Sequence, residues 1–193
     1  MRKLLLSLFL ITITASLFAQ LNFDLGIKGG VNFSKISFEM NDYRAESVTR
    51  SHFGAFSRIG WNRIFIQPEF YFSGKGGDVT SDIKSTVTSF DYKTMDIPVL
   101  LGFRLVKGKS FDFHVVAGPV FSNITSERVK GDNLVNKSFY EDNYVGIQSG
   151  LGMDIFFITF DARMENGLGE FYNQPGASGK NQTLMLSVGF KFL

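Results

Sequence analysis

The chain has 193 residues, 44% of them hydrophobic, which suits one folded domain. It contains 22 Phe and 20 Gly but only 4 Pro, a composition typical of strand-rich proteins with close backbone contacts. The absence of Cys excludes disulfides and thiolate metal sites, and a formal net charge of +2 gives no reason to expect a nucleic-acid partner.

The N-terminal segment has the features of an export signal. Arg2 and Lys3 precede an apolar run that ends at the small residue Ala19. This run is short for a membrane-spanning helix, which needs about 20 apolar residues, and the order is typical of a cleaved signal peptide. Loss of Arg2 and Lys3 leaves 18 basic and 18 acidic residues, so the mature chain is formally neutral. We therefore expect two segments: a signal peptide, residues 1–19, and a mature β-barrel domain, residues 20–193.

The first mature segment, FDLGIKGGVNF, alternates between two kinds of side chain. Phosphate-binding loops have the order GxxxxGK[ST] and lead into a helix, whereas here the alternation continues through the glycines. The period of two predicts a β-strand. One face carries Phe23, Leu25, Ile27, Val31 and Phe33, and the other carries Asp24, Gly26, Lys28, Gly30 and Asn32.

Seven further segments show the same two-sided pattern, which predicts eight strands in total. In the first of them Phe53, Ala55 and Ile59 share the apolar face and Arg58 lies opposite. In chain order the segments are HFGAFSRIG, RIFIQPEFYF, MDIPVLLGFR, FDFHVVAGPVF, YVGIQSGLGMD, FITFDARME and LMLSVGFKF.

The connections between these strands alternate in length. The short ones are residues 60–62, 105–110 and 154–156, and the long polar ones are residues 34–50, 73–89, 122–143 and 166–181. Short turns at one end and long loops at the other are typical of outer-membrane barrels. The predicted fold is all-β: an eight-stranded antiparallel up-and-down transmembrane β-barrel with short periplasmic turns and long extracellular loops.

The two faces predict which side meets lipid. An eight-stranded interior is only wide enough for side chains to fill, and the many Phe, Leu and Ile side chains would overfill it. The polar face has equal numbers of acidic and basic residues, Asp154 and Glu165 among them, which permits buried ion pairs. The alternative is a soluble exported lipocalin-like binder with the faces reversed.

These considerations predict a polar network in the lumen. For Lys28 we expect a carboxylate partner among Glu69, Asp96 and Asp161. The predicted network is Lys28, Arg58, Arg63, Glu69, Asp96, Arg104, Asp112, His114, Asp161, Arg163 and Lys191.

The ordered strands resemble the PorT-like outer-membrane β-barrel family of Bacteroidetes-type bacteria. The matching stretches are LGIKGGVNFS, IQPEFYFSGKG, MDIPVLLGFRL, VVAGPVFS, GIQSGLGMDI, FDARMENGLGEF and LMLSVGFKF, which cover nearly all of the mature chain. The resemblance implies an eight-stranded barrel in the outer membrane with both termini in the periplasm. It does not imply one activity: the namesake of the family is associated with secretion of cargo across the outer membrane, whereas most members have no assigned role.

No metal or cofactor is expected. The chain has two His, His52 and His114, and no HExxH or EF-hand spacing. The loop carboxylates could bind Ca²⁺ weakly, but solvated surface charge explains them better. These carboxylates are Asp78, Asp82, Glu141 and Asp142.

The sequence favours a non-enzymatic protein with a structural or interaction role. One alternative is a lipid-modifying barrel enzyme that uses His114, with Asp112 two residues away on the same face. Another is a small pore, although an eight-stranded lumen is expected to be filled. The expected partners are outer-membrane lipid and envelope or secretion proteins, which would contact the loops at residues 122–143 and 166–181.

Overall fold

Ten β-strands form the part of the chain that the computed structural model describes, residues 21–38, 43–46, 48–81, 86–108, 110–130, 143–168, 172–174 and 177–192. The strands are β1 (Leu21–Phe38), β2 (Tyr43–Glu46), β3 (Val48–Trp61), β4 (Ile64–Ser81), β5 (Thr86–Lys107), β6 (Phe111–Lys130), β7 (Asn143–Ile155), β8 (Ile158–Gly167), β9 (Tyr172–Gln174) and β10 (Ala177–Lys191). Within these ranges there is no helix of the length and apolarity that membrane crossing requires.

Eight long strands close into a barrel. Each pairs antiparallel with its neighbours in the order β1, β3, β4, β5, β6, β7, β8 and β10. The ring is completed between β1 and β10, where pairs run from Gly26 with Lys191 to Phe38 with Gly179. Closure leaves no free edge where the wall crosses lipid, as an apolar solvent demands. The predicted eight-stranded antiparallel barrel is confirmed, and the short strands β2 and β9 are additions that pair with β4 and β10.

The wall of the barrel is apolar outside and polar inside. Large apolar side chains are exposed on the outer face, for example Leu101 at 60% and Phe72 at 57%. Charged side chains such as Lys28 and Glu69 are buried in the lumen. The lipocalin-like alternative is therefore wrong, because it requires the apolar face inside. The outward placement of Phe53, Ala55 and Ile59 and the inward placement of Arg58 agree with the predicted phase of β3.

Three short connections lie at one end of the barrel, which we call the turn end; the opposite end is the loop end. Asn62 and Arg63 join β3 to β4, and Phe156 and Phe157 join β7 to β8. Asn62 and Phe156 have positive φ angles of 56° and 53°, the left-handed conformation that two-residue hairpins need. The third connection joins the end of β5 at Lys107 to the start of β6 at Phe111.

The strands extend further towards the loop end than the sequence indicated. Segments 73–89 and 122–143 were expected to be loops, yet β4 continues to Ser81, β5 starts at Thr86 and β6 continues to Lys130. Crossing lipid takes only about 9–11 residues per strand. Outside the membrane the strands remain paired through their backbones, but their outer face no longer contacts lipid. These parts of the strands therefore need no apolar face, and the alternating hydrophobic pattern that predicts a strand is absent from their sequence.

Candidate functional site

The lumen contains charged side chains, most of them fully buried, at three heights. We call these groups the turn-end, central and loop-end clusters, and each is held together by ion pairs between residues that are far apart in sequence. The turn-end cluster is Asp24, Arg58, Arg104, Asp112, Asp154 and Lys191; the central cluster is Lys28, Glu69, Asp161 and Arg163; the loop-end cluster is Lys75, Asp96 and Glu165.

The central cluster is a ring of alternating charge. Lys28 Nζ lies 2.6 Å from Glu69 Oε1 and 3.0 Å from Asp161 Oδ2. Arg163 faces the same two carboxylates, with Nη1 2.6 Å from Glu69 Oε2 and Nη2 3.1 Å from Asp161 Oδ1. Tyr71 also donates its hydroxyl proton to Glu69. Every charge in this cluster therefore meets two opposite charges, the pairing that burial of ions requires.

The turn-end cluster connects to the centre through Arg58. Its Nη1 lies 2.5 Å from Asp154 Oδ2, an oxygen that also lies 3.0 Å from Lys191 Nζ. Arg58 Nε donates to Gln67 Oε1 at 2.6 Å, and Gln67 in turn donates to Glu69 of the central cluster. The guanidinium is thus held by the Asp154 carboxylate of the turn-end cluster and by the Gln67 amide, which links it to the central cluster.

Arg104 bridges two carboxylates at the turn end. Its Nε lies 3.0 Å from Asp112 Oδ2 and its Nη2 lies 3.4 Å from Asp24 Oδ2. Its guanidinium carbon also lies 5.0 Å from the centre of the Phe65 ring, within the range of cation–π attraction. Phe65 packs with Leu100 and Val116 in a small apolar core inside the barrel.

The loop-end cluster is centred on Lys75. Its Nζ lies 2.9 Å from Asp96 Oδ2 and 2.6 Å from Glu165 Oε1, and it donates to the Tyr144 hydroxyl oxygen at 2.8 Å. Tyr144 donates to Glu165 Oε1 at 3.1 Å, and Gln148 Nε2 donates to Glu165 Oε2 at 2.9 Å. One cation here faces two carboxylates, and neutral donors complete the coordination of Glu165.

Ten of the eleven predicted network residues lie at the lumen. Four are in the central cluster and Asp96 is in the loop-end cluster, while His114 lies beside the turn-end cluster. Lys28 contacts two of its three candidate partners, and the third, Asp96, pairs with Lys75 instead. The remaining residues, Arg58, Arg104, Asp112 and Lys191, belong to the turn-end cluster.

Arg63 was wrongly assigned to the lumen. It is exposed in the turn between β3 and β4, where its Nη1 donates to the carbonyl oxygens of Arg104 at 3.2 Å and Leu105 at 2.8 Å. Residue 63 is an even number of positions from Gln67 and Glu69, so the alternation placed it on the inner face. However, β4 begins only at Ile64. Side chains alternate between the two faces only within a strand, so the alternation does not apply to residue 63.

Lys75 is the main residue that the sequence reasoning missed. It lies within residues 73–89, which were predicted to be a long polar connection. The alternation that places Gln67, Glu69 and Tyr71 inside continues through Ser73 to Lys75, and this phase was the available signal. If the predicted strand had been continued to residue 75 with the same alternation, Lys75 would have been placed in the lumen.

Both His side chains, His52 and His114, are buried and do not reach the lipid-facing surface of the barrel. His114 is fully buried in the lumen, where its Nε2 accepts a hydrogen bond from Arg58 at 3.3 Å and its ring packs edge-on against Phe65. Its Nδ1 lies 3.7 Å from Asp112 Oδ1, beyond hydrogen-bond distance. The lipid-modifying alternative therefore places its proposed base on the side of the wall that faces away from lipid.

His52 forms a chain with the residue types of a nucleophile, a base and an orienting group. Asn32 Nδ2 donates to Ser73 Oγ at 2.7 Å, which directs Asn32 Oδ1 to His52 Nδ1 at 2.7 Å. His52 Nδ1 is thereby the donor, and Nε2 accepts from Ser187 Oγ at 2.8 Å. Ser187 is 7% exposed and His52 is 3% exposed, so the hydroxyl is closed off from a substrate. These hydrogen bonds satisfy the buried polar groups of Asn32, His52, Ser73 and Ser187.

Several expectations fall outside the described residues. These include the signal peptide at residues 1–19 and the candidate Ca²⁺ ligands Asp82, Glu141 and Asp142; Asp78 is described only through its backbone in β4. Within the described ranges, no three His, Asp or Glu side chains come together as a metal site.

Comparisons with known proteins identify the type of barrel. The family described as "Outer membrane protein beta-barrel domain" matches residues 18–173. The structure of OprG from Pseudomonas aeruginosa is similar with a TM-score of 0.52 and 15% identity, covering 88% of this chain and 95% of that chain. At this identity the likeness shows the fold alone.

Two further solved structures are similar at lower scores. Neisserial surface protein A has a TM-score of 0.48 at 13% identity, covering 87% of this chain and 97% of that chain. Ail, the attachment invasion locus protein of Yersinia pestis, has a TM-score of 0.47 at 12% identity, covering 88% and 98%. No curated protein sequence matches the chain.

Proposed function

The chain belongs to the outer membrane protein beta-barrel domain family, and from this premise we propose that it is a closed, non-enzymatic barrel with a structural or interaction role in the cell envelope. Its location is the outer membrane, and its apolar outer face contacts the lipid. The observation that carries the proposal is the lumen, in which buried ion pairs lie one above another from the turn end to the loop end.

The proposed orientation puts the turn end in the periplasm. Outer-membrane barrels have short periplasmic turns and longer extracellular loops, and both described chain ends, Leu21 and Phe192, lie at the turn end. Export would use residues 1–19 as a cleaved signal peptide, in line with their basic start and apolar run. The loops would then face the outside of the cell.

Protein partners would meet the barrel at its loop end. Segments 122–143 and 166–181 combine charged, aromatic and glycine residues on a rigid scaffold, a setting in which loops often carry recognition. The PorT-like resemblance of the strands supports a role linked to protein secretion. In such a role the barrel holds the loops in place and its lumen carries no cargo.

Conductance across a planar bilayer tests the closed lumen. We expect the purified barrel to insert without producing steady channels, because the central cluster leaves each buried charge paired and the lumen filled. Heat-dependent mobility on a gel should first show that the inserted sample is folded. Steady conductance from folded protein would refute the closed-barrel proposal.

Cross-linking followed by co-purification tests the interaction role. Residues 131–142 would be replaced by a Gly/Ser segment of equal length, with residues 82–85 replaced in the same way as a matched control. We expect a specific envelope partner to be recovered with the wild type and the control but lost when 131–142 is replaced. Identical recovery from all three would exclude this segment as the contact.

A further inference from the structure

Arg63 is held as a fixed cation at the turn end. Its Nη1 donates to the carbonyl oxygens of Arg104 at 3.2 Å and Leu105 at 2.8 Å. A β-bulge lies at this point of β5, because the register with β6 passes from Arg104 to Val106 and leaves Leu105 without a partner. The two hydrogen bonds to the bulge fix where the guanidinium lies, although the side chain is exposed.

Most of the Arg63 guanidinium remains free to bind an anion. A guanidinium has five N–H donors, and within the described ranges only Nη1 of Arg63 forms hydrogen bonds. The three carboxylates of the turn-end cluster pair with other cations instead. The edge formed by Nε and Nη2 therefore has the two parallel donors that hold a phosphate or a carboxylate.

Lys107 places a second positive charge near this edge. It is two residues beyond Leu105 on β5, about 7 Å along the strand. It is exposed at the rim of the lumen and forms no ion pair with any residue of the described ranges. Its flexible four-carbon stem can bring the ammonium from the rim to the bilayer surface. Among the residues described at 61–64 and 105–111, the exposed charges are thus both positive.

The apolar outer face continues up to Arg63. Ile64, its neighbour in the chain, is exposed and pairs with Trp61 across the turn and with Phe103 on β5. Trp61 and Phe103 are exposed as well. This face contacts lipid, and the aromatic girdles of outer-membrane barrels lie at the two interfaces of the bilayer. The Arg63 guanidinium therefore lies where the acyl chains end and the headgroups begin.

A phospholipid phosphate is the anion that this position favours. Phosphates of the bilayer are present at the depth of Arg63 at high local concentration, and a guanidinium binds phosphate oxygens with two hydrogen bonds at once. A soluble acidic ligand would first have to displace headgroups. Two cations that lack a carboxylate partner in the described part of the chain also favour a lipid of net negative charge over one whose phosphate is balanced by an ammonium.

We propose that the turn end binds one anionic phospholipid, with its phosphate on Arg63 and Lys107 and its acyl chains on Ile64 and Phe103. This site rests on the envelope role proposed above only through the location of the barrel in a membrane, and it does not depend on a closed lumen. With the turn end in the periplasm, the lipid belongs to the inner leaflet. A lipid held at this position would fix the depth of the turn end in the bilayer.

Native mass spectrometry of the folded barrel tests the lipid class. The protein would be released from nanodiscs that contain equal amounts of phosphatidylglycerol and phosphatidylcholine with the same acyl chains. We expect at least about fivefold more phosphatidylglycerol than phosphatidylcholine to remain bound, since each cation near a membrane surface favours anionic lipid by about that factor. Equal retention of the two lipids overturns the proposal.

A competition experiment separates a lipid site from a site for free anions. Inorganic phosphate would be added before release from the nanodiscs, with sodium chloride at the same ionic strength as the control. We expect the two salts to reduce the retention of phosphatidylglycerol equally, because the acyl chains hold the headgroup at the site. A larger loss with phosphate would identify a free-anion site and overturn the assignment to lipid.

Variants test the two cations. Lys107→Gln should lower the preference for phosphatidylglycerol about fivefold, and Arg63→Gln should lower it at least as much because the bidentate edge is lost. The matched control is Lys93→Gln, which changes an exposed lysine towards the loop end of β5 and should leave the preference unchanged. Heat-dependent mobility on a gel should show that each variant folds. Because Lys107 forms no ion pair among the described residues, its variant remains decisive if Arg63→Gln misfolds.

Two outcomes of the variant experiment overturn the site. One is an unchanged preference in Lys107→Gln. The other is an equal loss in the Lys107 and Lys93 variants, which would mean that surface lysines attract anionic lipid wherever they lie. Steady conductance from a barrel that still retains phosphatidylglycerol would refute the closed lumen and leave the lipid site intact, so the two proposals fail by different measurements.

Discussion

At the residue scale, the lumen shows how charges can be buried in a small barrel. The Lys28 side chain is fully buried, and Glu69 and Asp161 replace its hydration with two short ion pairs. Replacing a buried ion pair by apolar residues is often neutral, while removing one partner alone costs about 3–5 kcal/mol. The clusters therefore contribute little net stability as a whole, but removal of a single member would leave its partner as an unpaired buried charge and destabilise the barrel.

The Ser187–His52–Asn32 chain leads to a prediction about reactivity. We expect a fluorophosphonate probe to leave Ser187 unlabelled in the folded protein, because the hydroxyl is buried in a closed barrel. Mass spectrometry of the treated protein, beside a serine hydrolase as positive control, measures this. Labelling that Ser187→Ala abolishes would contradict the non-enzymatic proposal.

Gly152 gives a prediction about packing. A Cβ at this position would overlap the His114 ring and lie 2.8 Å from Asp161 Oδ1. Gly152→Ala should therefore destabilise the barrel by about 1–3 kcal/mol, the usual effect of overpacking. Urea unfolding in lipid vesicles measures the change.

Gly29 is the matched control for Gly152. A Cβ there would lie 3.4 Å from its nearest neighbours, which is ordinary contact. Gly29→Ala should be neutral or should stabilise the barrel by up to about 1 kcal/mol, since alanine loses less entropy on folding. Equal destabilisation by the two variants would show that close contact with His114 is not the reason for glycine at 152.

At the element scale, each strand has to satisfy two environments. Along β5, Ile97, Val99, Leu101 and Phe103 face outwards, and the residues between them face the lumen. A shift of one residue would move every one of these side chains to the wrong side. The register of each strand is therefore strongly specified over its lipid-crossing part.

Charge placed on the outer face tests where the lipid-crossing part lies. Leu101→Arg, in the middle of the apolar run of β5, should cost about 2–4 kcal/mol. Thr125→Arg on β6 should cost at most about 1 kcal/mol, because Thr125 lies towards the loop end beside Lys93, an exposed native cation. Unfolding in vesicles measures both. Similar costs at the two positions would contradict the assignment of the apolar band.

The sequence pattern predicted which face of the barrel wall each side chain occupies, but not which charged side chains pair with one another. Alternation placed Lys28 in the lumen and limited its partners to three carboxylates. The choice of Glu69 and Asp161 over Asp96 depends on the stagger of strands around the closed barrel, which links residues 41 and 133 positions from Lys28. Tilt and stagger are properties of the closed ring and not of one strand.

At the scale of the whole molecule, the barrel has two different ends. The turn end carries both described termini and the turn-end cluster, while the loop end carries strands that extend past the apolar band. Only the outer face is adapted to lipid, so each end must face water. The strand asymmetry and the family together support one orientation across the outer membrane.

Cysteine labelling tests that orientation. The chain contains no Cys, so single substitutions report one position each. Ser126→Cys lies on β6 at the loop end and Ser110→Cys lies in a turn, and both positions are exposed. In intact cells a membrane-impermeant maleimide should label position 126, whereas position 110 should react only after the outer membrane is permeabilised. The reverse pattern would put the turn end at the cell surface and the loops in the periplasm, because a closed lumen gives the reagent no path between the two ends.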